Sequence, residues 1–183
     1  KINTPDQKII HGTLATETEP SDTLVVFVHG FTGHPNEHIF FNGAKFLKEK
    51  GIDSFRFGLY DGGDKSFRQF RDTKISLHGE DITTVVKSFR EKYKKIFVVG
   101  HSYGGTSLLF TDSSQIDGFV FWDASYVRWD KGDKDGIDYN NALDAYISDW
   151  GMETIVGKGF VEELKNFPDC GELLKKTNKP VLF

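Results

Sequence analysis

Apolar runs of strand length alternate with amphipathic stretches of helix length along most of the chain. Leu24-Val25-Val26-Phe27-Val28, Ile96-Phe97-Val98-Val99 and Gly118-Phe119-Val120-Phe121-Trp122 are continuous and rich in β-branched and aromatic residues. A strand covered on both faces has this composition, because both alternating sets of side chains leave water. Asp53–Phe57 reads as a short strand and Lys8–Leu14 as an edge strand. Between the strands, Phe40, Gly43, Ala44 and Leu47 repeat at i, i+3, i+4 and i+7, and Gly51 follows as a C-terminal stop. Ile82, Val85, Val86 and Phe89 share a second helix face, and a third helix is expected through Leu108 and Leu109. Leu59 to Ser76 reads as a long polar loop. Strands alternating with helices predict the α/β class: a mostly parallel sheet with helices on both faces.

The pattern changes after Asp123. Residues 124–178 are polar and rich in Asp and Gly, with short helical pieces expected at Ala142–Ile147 and Val161–Leu164. This stretch is expected to be a lid-like insertion over the carboxyl end of the sheet, within a single domain spanning 1–183. Lys179-Pro180-Val181-Leu182-Phe183 begins another strand.

The chain has 183 residues, enough to bury a substantial core, and its 17 Phe rings supply much of the apolar area. A net charge of −4 with interspersed signs offers no basic patch for nucleic acid and no polybasic membrane anchor. No apolar run approaches the ~20 residues of a membrane span. The one cysteine, Cys170, excludes an internal disulfide and a Cys-rich zinc site, and fits a reducing, cytoplasmic setting.

Candidate chemistry enters at the end of the Ile96–Val99 run. Gly100-His101-Ser102-Tyr103-Gly104 satisfies G-x-S-x-G between a buried strand and a helix. This is the setting of a nucleophile elbow, a sharp turn that lifts a serine hydroxyl above the sheet. Positions two before and two after the serine must be small, and they are Gly100 and Gly104. The other reading is a glycine-rich phosphate loop. That loop lacks its lysine here, and G-x-G-x-x-G does not occur. After the first buried strand, His29-Gly30-Phe31-Thr32-Gly33 forms a second candidate element. The backbone N–H of Phe31 and that of Tyr103, the residue after the nucleophile, are the candidate oxyanion donors. The other reading of this loop is a plain glycine turn.

On these two segments the chain resembles the α/β-hydrolase superfamily. Within it, the chain is similar to serine esterases, monoacylglycerol lipases and cinnamoyl/feruloyl esterases. The resemblance covers Lys8 to about Asp123 and continues through the insertion to Phe183. It implies hydrolysis of a small-molecule ester by a Ser-His-Asp triad, with no cofactor. One departure is Gly62-Gly63-Asp64-Lys65-Ser66, where family members often carry G-x-G-x-S.

A serine hydroxyl needs a base within hydrogen-bond reach, and in this fold acid and histidine follow the serine in the chain. His11, His29, His34, His38, His78 and His101 all precede Ser102, so the sequence holds no candidate catalytic histidine. His29 is expected to brace the oxyanion loop, and His101 to point away from the hydroxyl. Asp123 is the disfavoured candidate acid; its alternative role is to bond loop N–H groups at a strand end. The sequence is therefore expected to be a fragment, with acid, histidine, last strand and helix beyond it. The alternatives are a non-catalytic binding protein that retains the fold and a serine peptidase of the same fold.

Two further motifs are set aside. His34-Pro35-Asn36-Glu37-His38 matches H-x-x-E-H, but Pro35 belongs to a helix start rather than an interior, so no metal is expected. Asp133-Lys134-Asp135-Gly136 resembles a calcium loop, yet Lys131 and Ala142 stand where acids are required. Trp122, Tyr126, Trp129, Tyr139, Tyr146 and Trp150 either line an apolar pocket or pack the core and lid.

Overall fold

The computed structural model describes residues 1–17, 21–61, 65–125, 137–149 and 153–183. In chain order the elements are β1 (Ile2–Asn3), β2 (Ile9–Ile10), β3 (Gly12–Ala15), β4 (Thr23–Val28), α1 (His38–Glu49), β5 (Asp53–Phe57), α2 (Ile75–Phe89), β6 (Lys95–His101), α3 (Tyr103–Leu108) and β7 (Gly118–Trp122). Then follow β8 (Ile137–Asn140), β9 (Ala145–Asp149), β10 (Glu153–Val156), α4 (Lys158–Lys165), α5 (Cys170–Thr177) and β11 (Val181–Leu182).

The main sheet has the order β11-β7-β6-β4-β5-β3. All neighbours pair in parallel except β3, which runs antiparallel to β5 at the edge. The alternation of each strand divides the core between two faces. Leu24, Val26 and Val28 of β4 and Ile96 and Val98 of β6 pack with Ile82, Val85, Val86 and Phe89 of α2. Phe27 of β4 and Val99 of β6 pack with Phe40 and Ala44 of α1 on the other side. The sheet is thus the mostly parallel, doubly covered α/β arrangement of the α/β-hydrolase fold. Gly51 ends α1 at φ 70°. The Leu59–Ser76 segment contains a 3-10 turn at Phe70–Asp72, and α2 begins at Ile75.

Beyond β7 the chain departs from the expected pattern. Ala142–Ile147 is not helical: β8, β9 and β10 form an antiparallel three-stranded sheet. Asn140 Oδ1 accepts the N–H groups of Ala142 and Leu143, and Asp144 turns at φ 49°. These local bonds close a hairpin, and Tyr139 packs on Tyr146 across it at 5.2 Å. Val161–Leu164 is helical, inside α4. α5 starts on Asp169, whose side chain accepts the Glu172 N–H. The calcium-like Asp133–Gly136 stretch, Lys131, Tyr126, Trp129, Trp150 and Gly62–Asp64 lie outside the described residues.

Candidate active site

The site is assembled at the carboxyl ends of β4, β6 and β7. Ser102 stands between β6 and α3 with φ 51° and ψ −122°. A non-glycine residue adopts such angles only where its surroundings over-determine them. Here the neighbours come too close for side chains. A Cβ on Gly100 would lie 2.6 Å from Gly105 N, and one on Gly104 would lie 2.4 Å from Val28 O. The turn is locked further by the Ser102 N–H donating to Trp122 O at 3.2 Å and by Gly105 N–H donating to Ser102 O at 3.0 Å.

The half-buried Ser102 side chain has one described polar partner. Its Oγ lies 2.9 Å from Ser125 Oγ. Ser125 also donates its N–H to Ser102 O at 3.1 Å, and its carbonyl accepts from the Thr106 hydroxyl. Asp123 is exposed at the end of β7 with φ 45°. It lines a cavity of about 360 Å³ together with Thr106, Ser125, Cys170, Leu174 and Phe183.

Tyr103 turns its ring into the core, where its hydroxyl lies 2.7 Å from Nδ1 of the fully buried His78. Burial pushes the His78 pKa down to about 3 and raises that of the Tyr103 phenol. The ring is therefore neutral and the phenol protonated, and the two share one hydrogen bond inside the core. The His29–Gly33 loop is held just as closely. His29 Nδ1 lies 2.8 Å from Gly30 O, and His29 Nε2 accepts the Leu59 N–H at 3.0 Å. These partners fix the tautomer with its proton on Nδ1. Burial lowers the His29 pKa to about 4. Tyr60 donates its hydroxyl to Gly30 O at 3.4 Å and faces the N–H groups of Thr32 and Gly33. The Tyr60 ring meets both His29 and His78. A continuous set of rings thus connects the loop bearing Phe31 with the elbow bearing Tyr103. Phe31, Phe70, Tyr103 and Phe160 of α4 close it, with Phe160 centroids 5.7 Å from Phe31 and 5.5 Å from Tyr103.

Among the sequence candidates, Ser102, Tyr103, Gly100 and Gly104 share the elbow, and the Phe31 ring lies beside Tyr103. No described histidine is bonded to Ser102 Oγ. The His101 ring sits between Phe40 and Trp122. His34 precedes α1, its N–H bonded to Glu37 Oε1, while His38 begins the helix. The H-x-x-E-H histidines therefore do not share a helix face. Among the described residues no cluster of three or more His, Cys, Asp or Glu could hold a metal ion. No described helix is long and apolar enough to cross a membrane.

Sequence reasoning missed Ser125, His78 and Tyr60. His78 had a signal, since it sits on the α2 stripe four residues before Ile82. Ser125 had none beyond its position just after a buried strand.

The fold is shared with known proteins. A family model described as "Putative serine esterase (DUF676)" matches residues 18–110, just over half of the sequence. Est1E from Butyrivibrio proteoclasticus, solved with bound ferulic acid, is 20% identical, with a TM-score of 0.70 over 94% of this chain and 72% of that one. The esterase EaEST from Exiguobacterium antarcticum is 21% identical, with a TM-score of 0.56 over 72% of this chain and 48% of that one. XC6422 from Xanthomonas campestris, described as a serine hydrolase without a lid, is 17% identical, with a TM-score of 0.58 over 72% of this chain and 63% of that one. No curated protein matches the chain. The sheet order, the strained serine turn and the family match lead to one conclusion: this chain belongs to the DUF676 serine-esterase family, with an α/β-hydrolase fold.

Proposed function

We propose that this chain carries the nucleophile and oxyanion site of a carboxylic-ester hydrolase working through an acyl-enzyme on Ser102. The observation that carries the reading is the Ser102 backbone, held at φ 51° and ψ −122° by glycines that admit no side chain. Ser102 Oγ attacks the ester carbonyl carbon and gives its proton to a general base. The carbonyl electron pair moves onto oxygen, where the backbone N–H groups of Phe31 and Tyr103 donate to it. Tyr103 is the first residue of α3, where a helix has no internal acceptor for the N–H. Collapse expels the alcohol, and water then releases the acid by the same path. His29, Tyr60 and His78 hold the two donor segments at fixed separation.

The base and its acid are assigned to chain outside this sequence, because all six histidines are described and none is bonded to Ser102 Oγ. Asp123 remains the disfavoured alternative for the acid. Residues 124–178 act as a lid within the single hydrolase domain. The substrate class in this reading is a small-molecule ester. No cofactor enters this chemistry.

The test is intact-mass analysis of the full-length gene product treated with a fluorophosphonate, beside p-nitrophenyl ester hydrolysis. One adduct mapping to Ser102 is expected, and Ser102→Ala should lose both the adduct and about three orders of magnitude or more in turnover. Turnover retained in that variant overturns the mechanism. An unlabelled wild type points instead to a binding protein on the same fold.

A further inference from the structure

We propose that Ser125 is a catalytic residue: its hydroxyl donates a hydrogen bond to Ser102 Oγ, orienting the nucleophile and stabilising the negative charge that develops on it. The inference rests on Ser102 being the nucleophile and adds a group that no nucleophile motif contains.

Three bonds tie Ser125 to one short segment. Its hydroxyl lies 2.9 Å from Ser102 Oγ, its N–H donates to Ser102 O at 3.1 Å, and its carbonyl accepts from the Thr106 hydroxyl. Thr106 is itself buried in α3. The Ser125 side chain therefore projects from a backbone whose donor and acceptor are both anchored to the elbow. The approach depends on glycine as well. A Cβ on Gly105 would lie 2.4 Å from Ala124 Cβ, so the Ala124–Ser125 turn reaches the elbow only because residue 105 has no side chain. The sheet supplies the rest. His101 pairs with Trp122 at the last rung between β6 and β7, and Ser102 N–H donates to Trp122 O just beyond it.

The chemistry follows from the lone pairs of Oγ. A serine hydroxyl has one proton and two acceptor positions. The proton must face the base, and one lone pair must face the carbonyl carbon. The second lone pair accepts from Ser125, which leaves the Ser102 O–H free to point elsewhere. As the Oγ–carbon bond forms, the Ser102 proton passes to the general-base imidazole and the carbonyl pair moves to oxygen. Ser125 keeps its own proton throughout. Charge on Oγ is greatest as its proton leaves, and a hydrogen bond to a charged acceptor is stronger than one to a neutral acceptor. The Ser125 contact is therefore worth most in the transition state, as catalysis requires.

The experiment measures the second-order rate of fluorophosphonate labelling at Ser102 in the full-length gene product, by intact mass against time. Ser125→Ala, Ser125→Val and Ser125→Thr are compared with wild type, with thermal unfolding as the fold control. Ala and Val are expected to slow labelling by about tenfold or more. Thr, which matches Val in shape but keeps the hydroxyl, is expected to recover most of the rate. The Val–Thr pair isolates the hydroxyl even where truncation to Ala disturbs the turn. Equal rates for Val and Thr, or faster labelling in Ala, overturn the role of Ser125 while leaving Ser102 as the nucleophile. A wild type that takes no label removes the hydrolase reading, and the Ser125 role falls with it.

Discussion

Replacing His29 with glutamine should change how the stability of this fold depends on pH. His29 is 1% exposed, with Nδ1 bonded to Gly30 O and Nε2 accepting from Leu59 N–H. Its pKa falls from 6.5 to about 4 because burial penalises the charged ring. The unfolded chain therefore binds a proton at a pH where the folded chain does not. The stabilisation is complete above about pH 6.5 and is lost as pH falls from there through about 4. The gap between the two pKa values corresponds to about 3 kcal/mol, a large share of the ~5–15 kcal/mol of a typical domain. In His29→Gln, Oε1 can still accept the Leu59 N–H, while Gly30 O loses the shortest of its hydrogen bonds. That loss costs about 1–2 kcal/mol at pH 7.5. The variant lacks the titration, however. Urea unfolding midpoints, followed by tryptophan fluorescence from pH 7.5 to 4, should favour wild type at the upper end. The two curves should converge and cross between about pH 6 and 5. The carboxylates titrate in both proteins, while the His78 pKa is lowered less in the variant because the charge on His29 is gone. Parallel curves across the range would refute the assignment of a neutral, doubly bonded His29.

Two further outcomes follow from contacts around the elbow and the insertion. Gly104→Ala puts a Cβ 2.4 Å from Val28 O and 2.6 Å from His29 O, both backbone atoms that cannot swing aside. It should destabilise by about 3 kcal/mol or more and abolish fluorophosphonate labelling, read by thermal melt and intact mass. Phe160→Ala removes a ring packed on Phe31, Phe70 and Tyr103. It should cost about 3–5 kcal/mol, read by urea unfolding.

The sheet was legible in the sequence because its central strands are buried on both faces. Leu24–Val28, Ile96–Val99 and Gly118–Trp122 left no polar position to confuse their period, and the strands coincide with them or extend them by a residue or two. Residues 137–149 resisted reading because local bonds decide their form. Ala142, Leu143, Tyr146 and Ile147 have a spacing that suits a helix turn. The outcome was set instead by the Asn140 carboxamide on two N–H groups and by the left-handed Asp144. α5 had a readable start that went unused: Asp169 and Glu172 stand at the spacing of a capping box, and the Asp169 bond forms.

The site divides along the same physical line. What backbone geometry dictates was readable: an elbow needs Gly100 and Gly104, and only a few sequences meet that demand. What side chains bring together through the fold was not. Ser125 is 23 residues from Ser102 and reaches it only because β7 lies in register beside β6. His101 was expected to point away from the Ser102 hydroxyl, and it does. It precedes Ser102 directly, yet successive strand residues point to opposite faces. Its ring accordingly lies with Phe40 of α1 and with Trp122. His29 has both ring nitrogens committed, and His78 is enclosed beside Tyr103. A histidine serves as a base only when one nitrogen faces the hydroxyl and the other is free to be oriented by a carboxylate. None of the three meets both conditions: no nitrogen of His29, His78 or His101 is bonded to Ser102 Oγ.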